Sequence, residues 1–205
     1  MTDVNRLWYV NQAIHNPNMP ATTLILGGAR SGKSTFAEKL ADAAVQPIYI
    51  ATAQPDDAEM ADRIRRHQER RSPHWQTWEI PLSIAEAIVR IDSPATVAVV
   101  DCLTLWVSNL MYAGRDVASE SQTLVEALAS SSCSVILVSN EVGSGIVPVN
   151  ALARAFRDHM GHLHQLLAAQ ADNVYLIVAG IPLTVKSPGS HIQPPGVREN
   201  QTTVV

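Results

Sequence analysis

The segment GGARSGKS, residues Gly27–Ser34, constrains the fold of this chain more than any other part of its sequence. It matches the pattern G-x-x-x-x-G-K-[ST], whose glycines let successive backbone N–H groups point at phosphate oxygens. It follows the β-rich run Thr22–Leu26 and precedes a helical stretch, as such a loop requires. In this pattern Lys33 supplies a positive charge, and the hydroxyl of Ser34 binds a Mg²⁺ ion that bridges the phosphates. A glycine-rich turn is the alternative, but the pattern in this context predicts a P-loop that binds a nucleoside triphosphate.

Short apolar runs that alternate with helical stretches predict the rest of the fold. Most of these runs are apolar on both faces, as expected of parallel strands that helices cover on either side. The fold class is therefore predicted as α/β of the P-loop NTPase type, a doubly wound, mostly parallel sheet with helices on both faces. The predicted strands are Thr22–Leu26, Pro47–Ala51, Gln76–Ile80 as the weakest, Thr96–Cys102, Cys133–Ser139 and Val174–Ala179. The predicted helices are Ser34–Ala44, Asp56–Arg71, Ser83–Val89, Leu103–Met111, Glu120–Ser130 and Asn150–Gln170.

The length and composition predict one domain with short additions at each end. The chain has 205 residues, of which 46% are hydrophobic and 17% charged, enough for one sizeable core. We predict a single P-loop domain over residues 22–186. Residues 1–21 are predicted as an N-terminal extension and residues 187–205 as a C-terminal tail, because both are polar and rich in proline without a sustained period.

The charge balance argues against some classes of partner. With 15 Lys and Arg against 19 Asp and Glu, the net charge of −4 would repel nucleic acid and anionic membranes. The longest nearly apolar run, Cys102–Ala113, is shorter than the roughly 18 to 20 residues of a membrane span. Cys102 and Cys133 form neither a metal-ligand spacing nor a disulfide framework, and Asp3 stands where a signal peptide would be positive. We therefore expect a cytoplasmic protein that neither crosses a membrane nor binds nucleic acid.

A second element of a P-loop site is a carboxylate at the end of a neighbouring strand, where it holds the water shell of the metal ion. The run TVAVVDC offers Asp101 at the end of a predicted strand. The alternative is that Asp101 caps the helix predicted to begin at Leu103. The two roles are compatible, so Asp101 is the candidate metal-side residue.

The predicted helix Asp56–Arg71 carries a single histidine, His67, among arginines. Nearby positive charges disfavour the imidazolium, so His67 should be neutral and keep a free lone pair. Such a histidine could attack the α-phosphate of a triphosphate, form a phosphoramidate and release pyrophosphate. The alternative is a solvated basic face with an incidental histidine, and spacing alone does not decide between them. The surrounding arginines, five of the twelve in the chain, are Arg63, Arg65, Arg66, Arg70 and Arg71.

The run PHWQTWE, which contains His74, gathers aromatic and acidic side chains. Trp75 and Trp78 could stack on a base, and Glu79 could accept hydrogen bonds from the N1 and N2 donors of guanine. The alternative is that both tryptophans belong to the core or to an interface.

Eight blocks together resemble a known family. In order they are GGARSGKS, YIATAQ, DDAEMADRIRRHQ, HWQTWE, DCLTLWVSNL, VSNEVGSGIVP, ARAFRD and AGIPLTVK. The chain from about Thr22 to Lys186 closely resembles the bifunctional adenosylcobinamide kinase/adenosylcobinamide-phosphate guanylyltransferase family of cobalamin biosynthesis. The resemblance implies that ATP or GTP phosphorylates the aminopropanol hydroxyl of adenosylcobinamide. It further implies that GMP is then transferred from GTP to that phosphate, which yields adenosylcobinamide-GDP and pyrophosphate.

The resemblance also implies roles for individual residues. His67 matches the histidine that carries GMP, and Ser34 and Asp101 would hold Mg²⁺. The family looks trimeric, so the apolar segment Leu103–Met111 could pack between subunits. The implied nucleotide contacts are Gly27, Gly28, Ala29, Arg30, Ser31, Gly32, Lys33, Ser34, Thr52, Ala53, Gln54, Gln68, Glu69, Arg70, Arg71, Glu79 and Asp101.

Three positions need separate mention. Arg66 stands where relatives often have a second histidine, and His164 stands where they commonly have asparagine, with a helix-surface histidine as the plain interpretation. Glu141 follows a predicted strand at the edge where α/β sites form, although it could instead only anchor its loop.

Two other functions compete with this interpretation. One is a monofunctional P-loop small-molecule kinase in which His67 only binds phosphate. The other is a recombinase-type ATPase that acts on nucleic acid, which the net charge and the three lysines disfavour.

Overall fold

The computed structural model describes residues 21–54 and 71–188. The described part comprises seven strands and five helices. The strands are β1 (Thr22–Gly27), β2 (Gln46–Ala51), β3 (Gln76–Glu79), β4 (Thr96–Asp101), β5 (Ser134–Asn140), β6 (Asn173–Val178) and β7 (Ile181–Lys186). The helices are α1 (Lys33–Ala41), α2 (Ile84–Val89), α3 (Leu103–Tyr112), α4 (Val117–Ala129) and α5 (Ala151–Gln170).

Several predictions lie outside these residues. They are the N-terminal extension up to residue 20, the helix Asp56–Arg71 apart from Arg71, the site residues His67, Gln68, Glu69 and Arg70, and the tail from residue 189 onward.

The strands form one sheet in the order β3-β2-β4-β5-β1-β6-β7. All neighbouring pairs are parallel except β6 and β7, which are antiparallel. Parallel strands need crossover connections, and the described helices α1 to α5 lie in those connections. The predicted α/β, doubly wound, mostly parallel sheet of the P-loop type is confirmed.

Strand β7 was not predicted from the sequence. Pro182 lies inside it, and proline argues against a central strand because it has no N–H to donate. At the edge of the sheet that donor is not needed, so the residue is tolerated. The two-residue turn before β7 has Ala179 at φ 50° and Gly180 at φ 81°, the backbone that a tight hairpin requires.

Helices cover both faces of the sheet. On one face α1 packs through Phe36, whose ring meets that of Tyr175 edge to face at 5.4 Å between centroids. On the other face α2, α3, α4 and α5 bury a larger cluster that includes Leu24 and the fully buried Trp106. The segment Leu103–Met111 belongs to this second cluster.

The expectation that Leu103–Met111 packs between subunits stays a prediction. Four of its apolar side chains, Leu103, Trp106, Val107 and Leu110, are at most 1% exposed and pack into the protomer's own core. Leu105 and Met111 are only partly buried within the chain.

Side-chain caps decide where two helices begin. Asp116 Oδ1 accepts hydrogen bonds from the backbone N–H groups of Ala118 and Ser119 at 2.9 and 3.3 Å, so α4 begins at Val117 rather than at the predicted Glu120. Asn150 caps α5 in the same way. Among the described helices, none is both long and apolar enough to cross a bilayer.

The central strand β1 generates a stability prediction. Leu24→Ala removes a side chain with no exposed surface and leaves a cavity between β1 and the helices of the larger cluster. We expect the free energy of unfolding in urea to fall by about 2–5 kcal/mol. Leu152→Ala, at a position 67% exposed, is the matched control and should change it by less than about 0.5 kcal/mol. Equal effects of the two substitutions would contradict this core assignment.

Candidate nucleotide-binding and transfer site

The P-loop connects β1 to α1, and its first glycine is required by close packing. Gly27 has φ 153°, and a Cβ atom there would lie 2.5 Å from the carbonyl oxygen of Ile177 and 2.8 Å from Ser31 Oγ. Gly32 is the N-cap of α1 in the left-handed region at φ 99°, where side chains are strained. The backbone of the loop can therefore follow this path into α1 only because Gly27 and Gly32 carry no side chain.

Both strands that flank β1 hold this loop. The N–H of Gly180, in the β6–β7 turn, donates to the carbonyl of Ser31 at 2.8 Å. The N–H of Glu141, just after β5, donates to the carbonyl of Gly27 at 3.0 Å. The unpredicted strand β7 therefore contributes to the P-loop through its turn.

Lys33 lies across the loop that precedes it. Its residue surface is only 6% exposed, and its Nζ donates to the carbonyl of Gly28 at 2.6 Å and to Ser31 Oγ at 3.5 Å. The predicted residues Gly27–Ser34 thus form one compact loop with the ammonium group at its centre. This arrangement places a positive charge and the start of a helix where an anion would be stabilised.

Asp101 ends β4 at the same edge of the sheet. The hydroxyl of Tyr49 donates to its Oδ2 at 2.9 Å. Burial, and after it the charge of Asp101, raises the pKa of Tyr49 well above its usual value, so the phenol remains a donor. The alternative role as a helix cap is wrong, because the N-cap residue of α3 is Cys102 and no side chain caps that helix.

The sequence was interpreted as placing Asp101 on a strand next to the P-loop strand. The structure corrects this, because β4, which carries Asp101, is not adjacent to β1. Strand β5 lies between β1 and β4 and pairs with both. Asp101 is therefore two strand spacings, roughly 10 Å, from the P-loop strand across the sheet. Asn140 and Glu141 at the end of β5 occupy the position between them.

The donors at this edge suit Mg²⁺. Mg²⁺ usually takes one or two protein oxygens and completes its shell with phosphate oxygens and water. The candidates Ser34 and Asp101 supply one hydroxyl and one carboxylate. Within residues 21–54 and 71–188 no group of three or more His, Cys, Asp or Glu side chains could form a metal cage. This donor set fits a magnesium nucleotide better than a resident metal ion.

Thr52 follows β2 and is completely buried. Its Oγ1 donates to the carbonyl of Cys102 at 2.8 Å and accepts from the N–H of Cys102, also at 2.8 Å. The hydroxyl thus joins the end of β2 to the β4–α3 connection. Ala53 is half-buried and Gln54 is exposed, so both lie beyond this buried junction.

The remaining described candidates lie farther along the sheet. Glu79 ends the edge strand β3 beside Ala51 and is exposed. Arg71 places its guanidinium 3.7 Å from the centroid of the Tyr49 ring. Arg71, Tyr49 and Asp101 therefore form a continuous chain of contacts near the carboxyl edge.

The idea that Trp75 and Trp78 stack together on a base is not supported by their positions. Trp75 packs against the cluster on the α1 face, and its indole N–H donates to Asp42 Oδ1 at 3.0 Å. Trp78 packs against the cluster on the opposite face, with Arg90 5.7 Å from its ring centroid. Trp75 precedes β3 and Trp78 lies within it, and the two side chains pack against clusters on opposite faces of the sheet.

His164 takes part in a polar chain that the sequence analysis missed. Its Nε2 lies 2.7 Å from Oγ of the fully buried Ser139, and the two share a hydrogen bond. Ser139 Oγ lies 3.5 Å from Thr104 Oγ1, which accepts from the N–H of Asn140 at 2.8 Å. The interpretation as a helix-surface histidine is wrong: His164 is half-buried and helps to fix the end of β5. Burial lowers its pKa, and the charge of Glu141 acts in the opposite direction.

Glu141 and Cys102 both have shifted pKa values. The Glu141 carboxylate accepts from the N–H groups of Gly143 and Ser144 at 2.7 and 3.2 Å. A hydrogen bond from the Ser144 side chain, the strongest influence, lowers the pKa of Glu141, which supports the anchoring role that the sequence left open. Burial raises the pKa of Cys102 to about 11, so its thiol is protonated and a poor nucleophile at neutral pH.

Comparison with known proteins assigns the chain. A family model described as "Cobinamide kinase / cobinamide phosphate guanyltransferase" matches residues 23–185. The chain belongs to this family. It is a transferase of cobalamin biosynthesis, of the bifunctional cobinamide kinase and guanylyltransferase type.

Two curated relatives agree with that assignment. The chain is 44% identical to the bifunctional adenosylcobalamin biosynthesis protein CobP of Pseudomonas aeruginosa over 80% of its own length and 96% of the relative's. It is 42% identical to the bifunctional adenosylcobalamin biosynthesis protein CobU of Salmonella typhimurium over 80% of its own length and 98% of the relative's. A solved structure from Pyrococcus horikoshii shares the fold, with a TM-score of 0.50 and 10% identity over 91% of this chain and 93% of that one.

The close packing at Gly27 generates a prediction. Gly27→Ala forces a Cβ against the carbonyl oxygen of Ile177, so either β6 or the P-loop must move. We expect the free energy of unfolding to fall by about 1–3 kcal/mol and the affinity for GTP, measured by titration calorimetry, to fall at least tenfold. Gly161→Ala, on an open helical position of α5, is the control and should raise the free energy by about 0.5–1 kcal/mol. Unchanged GTP affinity in Gly27→Ala would contradict the role of this packing.

His164 generates a prediction about pH. Because its pKa is lowered in the folded protein, the unfolded chain binds more protons between the folded value and about 6.5. The free energy of unfolding should therefore decrease as the pH falls below about 6.5. In His164→Asn, which keeps a hydrogen-bonding group near Ser139, this part of the pH dependence should disappear. His162→Asn, at an exposed position of the same helix, should retain the wild-type profile in urea titrations at several pH values.

Proposed function

We propose that this protein phosphorylates adenosylcobinamide with ATP or GTP and then transfers GMP from GTP to adenosylcobinamide phosphate through a guanylyl-His67 intermediate. The products are adenosylcobinamide-GDP and pyrophosphate. The observation that carries the proposal is that the P-loop, held by Gly180 and Glu141, lies at the same edge of the sheet as Asp101. The chain also belongs to the cobinamide kinase and cobinamide phosphate guanyltransferase family. The domain is proposed to span residues 22–186.

Nucleotide binding is assigned to the loop Gly27–Ser34. Its backbone N–H groups and the N-terminus of α1 would stabilise the phosphates. Lys33 would add a positive charge by turning its Nζ from the carbonyl of Gly28 to a phosphate oxygen. Ser34 and Asp101 would hold Mg²⁺, which when bound neutralises the charge on the phosphates. Tyr49 keeps Asp101 in place by donating to one of its oxygens.

In the kinase step the aminopropanol oxygen of adenosylcobinamide attacks the γ-phosphorus. A new O–P bond forms, the bond between the γ-phosphorus and the bridging oxygen breaks, and the nucleoside diphosphate leaves while the hydroxyl proton is released. The contribution of the chain is to hold the two reactants in line and to stabilise the charge of the phosphates. The corrinoid would approach the open carboxyl edge beyond Asp101.

In the guanylyl step His67 attacks the α-phosphorus of GTP and pyrophosphate leaves. An oxygen of adenosylcobinamide phosphate then attacks the same phosphorus and releases His67. The position of Arg71 supports this assignment, because Arg71 follows His67 by four residues in the sequence and contacts the ring of Tyr49, which donates to Asp101. Arginines near His67 would keep it neutral and bind the departing pyrophosphate. Further GTP contacts are proposed at Ala53, Gln54, Gln68, Glu69, Arg70 and Glu79. Thr52, which is completely buried and bound to Cys102, would support this part of the site from behind.

The assembly and location are proposals as well. We propose a homotrimer, for which the exposed apolar side chains Ile146, Val147 and Val149 offer a surface. The two free cysteines support a reducing, cytoplasmic compartment. The net charge of −4 supports small-molecule partners over nucleic acid.

Intact-protein mass spectrometry tests the covalent step. After incubation with GTP and Mg²⁺, and without acid, which hydrolyses phosphoramidates, the wild-type chain should gain the mass of one guanylyl group. His67→Ala should gain none and should still bind GTP, because the P-loop is unchanged. His162→Ala, at an exposed histidine on α5, is the control and should form the adduct at the wild-type rate.

The competing function gives a different result. A monofunctional kinase would bind GTP, transfer its γ-phosphate to adenosylcobinamide and form no adduct, and His67→Ala would retain that activity. No adduct under conditions where GTP is bound would therefore reject the guanylyl-histidine mechanism.

A further inference from the structure

Strand β5 ends in an asparagine between the two parts of the proposed site. Asn140 is the last residue of β5 and pairs in register with Gly27, the first residue of the P-loop. On the other side of β5, Asp101 at the end of β4 pairs with Val138, two residues before Asn140. Neighbouring strands lie about 5 Å apart. Asn140 is therefore one strand spacing from the P-loop strand and one from the strand that carries Asp101.

The side chain of Asn140 lies on the face of the sheet that α1 covers. Side chains alternate along a strand, and Val138 and Ile136, at the same phase of this alternation, pack into the cluster on the α1 face. Tyr49 belongs to that cluster as well, and its hydroxyl donates to Asp101, so this carboxylate is on the same face. A phosphate bound at the N-terminus of α1 would thus have the amide of Asn140 beside it.

Backbone contacts fix the end of β5 and leave the side chain of Asn140 for other partners. The N–H of Asn140 donates to Thr104 Oγ1 at 2.8 Å, and the next N–H, that of Glu141, donates to the carbonyl of Gly27 at 3.0 Å. Asn140 is half-buried, and none of residues 21–54 and 71–188 forms a hydrogen bond with its side-chain amide. A polar group on a backbone held in this way loses little freedom when it binds a ligand.

The chemistry of this amide suits the terminal phosphate of a triphosphate. Its NH₂ group offers two donors and carries no charge. The γ-phosphoryl group presents three oxygens that need donors in a fixed direction. Because Lys33 and Mg²⁺ supply the positive charges of the proposed site, a neutral donor adds direction without adding charge.

We propose that Asn140 is a further catalytic residue of the kinase step, whose side-chain NH₂ donates a hydrogen bond to an oxygen of the γ-phosphate. This inference rests on the proposed function. The bond holds the γ-phosphoryl group in line with the attacking aminopropanol oxygen. It exists only with a triphosphate, so Asn140 distinguishes a nucleoside triphosphate from a diphosphate.

The binding test compares two nucleotides that differ by the γ-phosphate. GDP and the β,γ-imido analogue of GTP are titrated calorimetrically, with Mg²⁺, into the chain carrying His67→Ala, in which no guanylyl adduct should form. Adding Asn140→Ala should weaken binding of the analogue at least fivefold and change the affinity for GDP by less than about twofold. Gln46→Ala is the matched control, because it removes an exposed side-chain amide at the amino end of β2, and should leave both affinities unchanged.

The kinetic test uses the chain with His67 in place. Asn140→Ala should lower kcat for the phosphorylation of adenosylcobinamide at least tenfold, and Gln46→Ala should retain it. Asn140→Asp keeps the shape of the side chain but replaces the donors with a negative charge, so it should lower kcat and the affinity for the analogue further. It also serves as the test variant if Asn140→Ala does not fold, as judged by urea unfolding.

The outcomes separate this inference from the proposed function. Equal weakening of GDP and of the triphosphate analogue in the folded variants would give Asn140 a merely structural role and overturn the inference, as would an unchanged affinity for the analogue. If the wild-type chain binds the analogue but does not phosphorylate adenosylcobinamide, the proposed kinase function fails. A selective loss of analogue binding would in that case still support the contact of Asn140 with the γ-phosphate.

Discussion

The loop Gly27–Ser34 is held from both sides by the strands that flank β1. Gly180 in the β6–β7 turn binds the carbonyl of Ser31, and Glu141 after β5 binds the carbonyl of Gly27. The close approach of Gly27 to Ile177 depends on the absence of a Cβ. A phosphate-binding loop must present N–H groups in a fixed direction before the ligand arrives, since any ordering during binding would reduce affinity. The two backbone hydrogen bonds to Ser31 and Gly27 therefore hold the loop in place before a nucleotide binds.

Three polar side chains near the carboxyl edge of the sheet support backbone groups. Thr52 binds both backbone groups of Cys102, Thr104 binds the N–H of Asn140, and Asn109 binds two carbonyls. Side chains of this kind fix the connections that follow parallel strands, where the regular ladder ends. Helix α3 contributes several of them, and its apolar side packs into the larger core cluster. Helix α3 thus belongs both to the core and to the surroundings of the proposed site, so a change in its packing would alter both.

Much of the fold could be predicted because its determinants are local. Apolar runs bounded by helical stretches identified six of the seven strands, and the P-loop pattern identified the junction of β1 and α1. The missed strand β7 contains Pro182, whose tolerance depends on a place at the edge of the sheet that its own sequence does not reveal. The segment Leu103–Met111 shows a similar limit, since an apolar helix face looks the same in a core and in an interface, and only the structure shows that Leu103, Trp106, Val107 and Leu110 pack into the core of their own chain.

The sequence by itself determined the phosphate-binding loop, the α/β class and the family, because each depends on residues close together in the chain or on blocks in a fixed order. Only the tertiary structure decided which residues meet across the sheet. It placed β5 between the P-loop strand and Asp101, put Trp75 and Trp78 on opposite faces, and linked His164 to Ser139. It also brought Asn109 to the carbonyls of Thr52 and Pro81. These contacts depend on strand order and on the packing of α3 and α5, which arise from the burial of the whole core and leave no local pattern in the sequence.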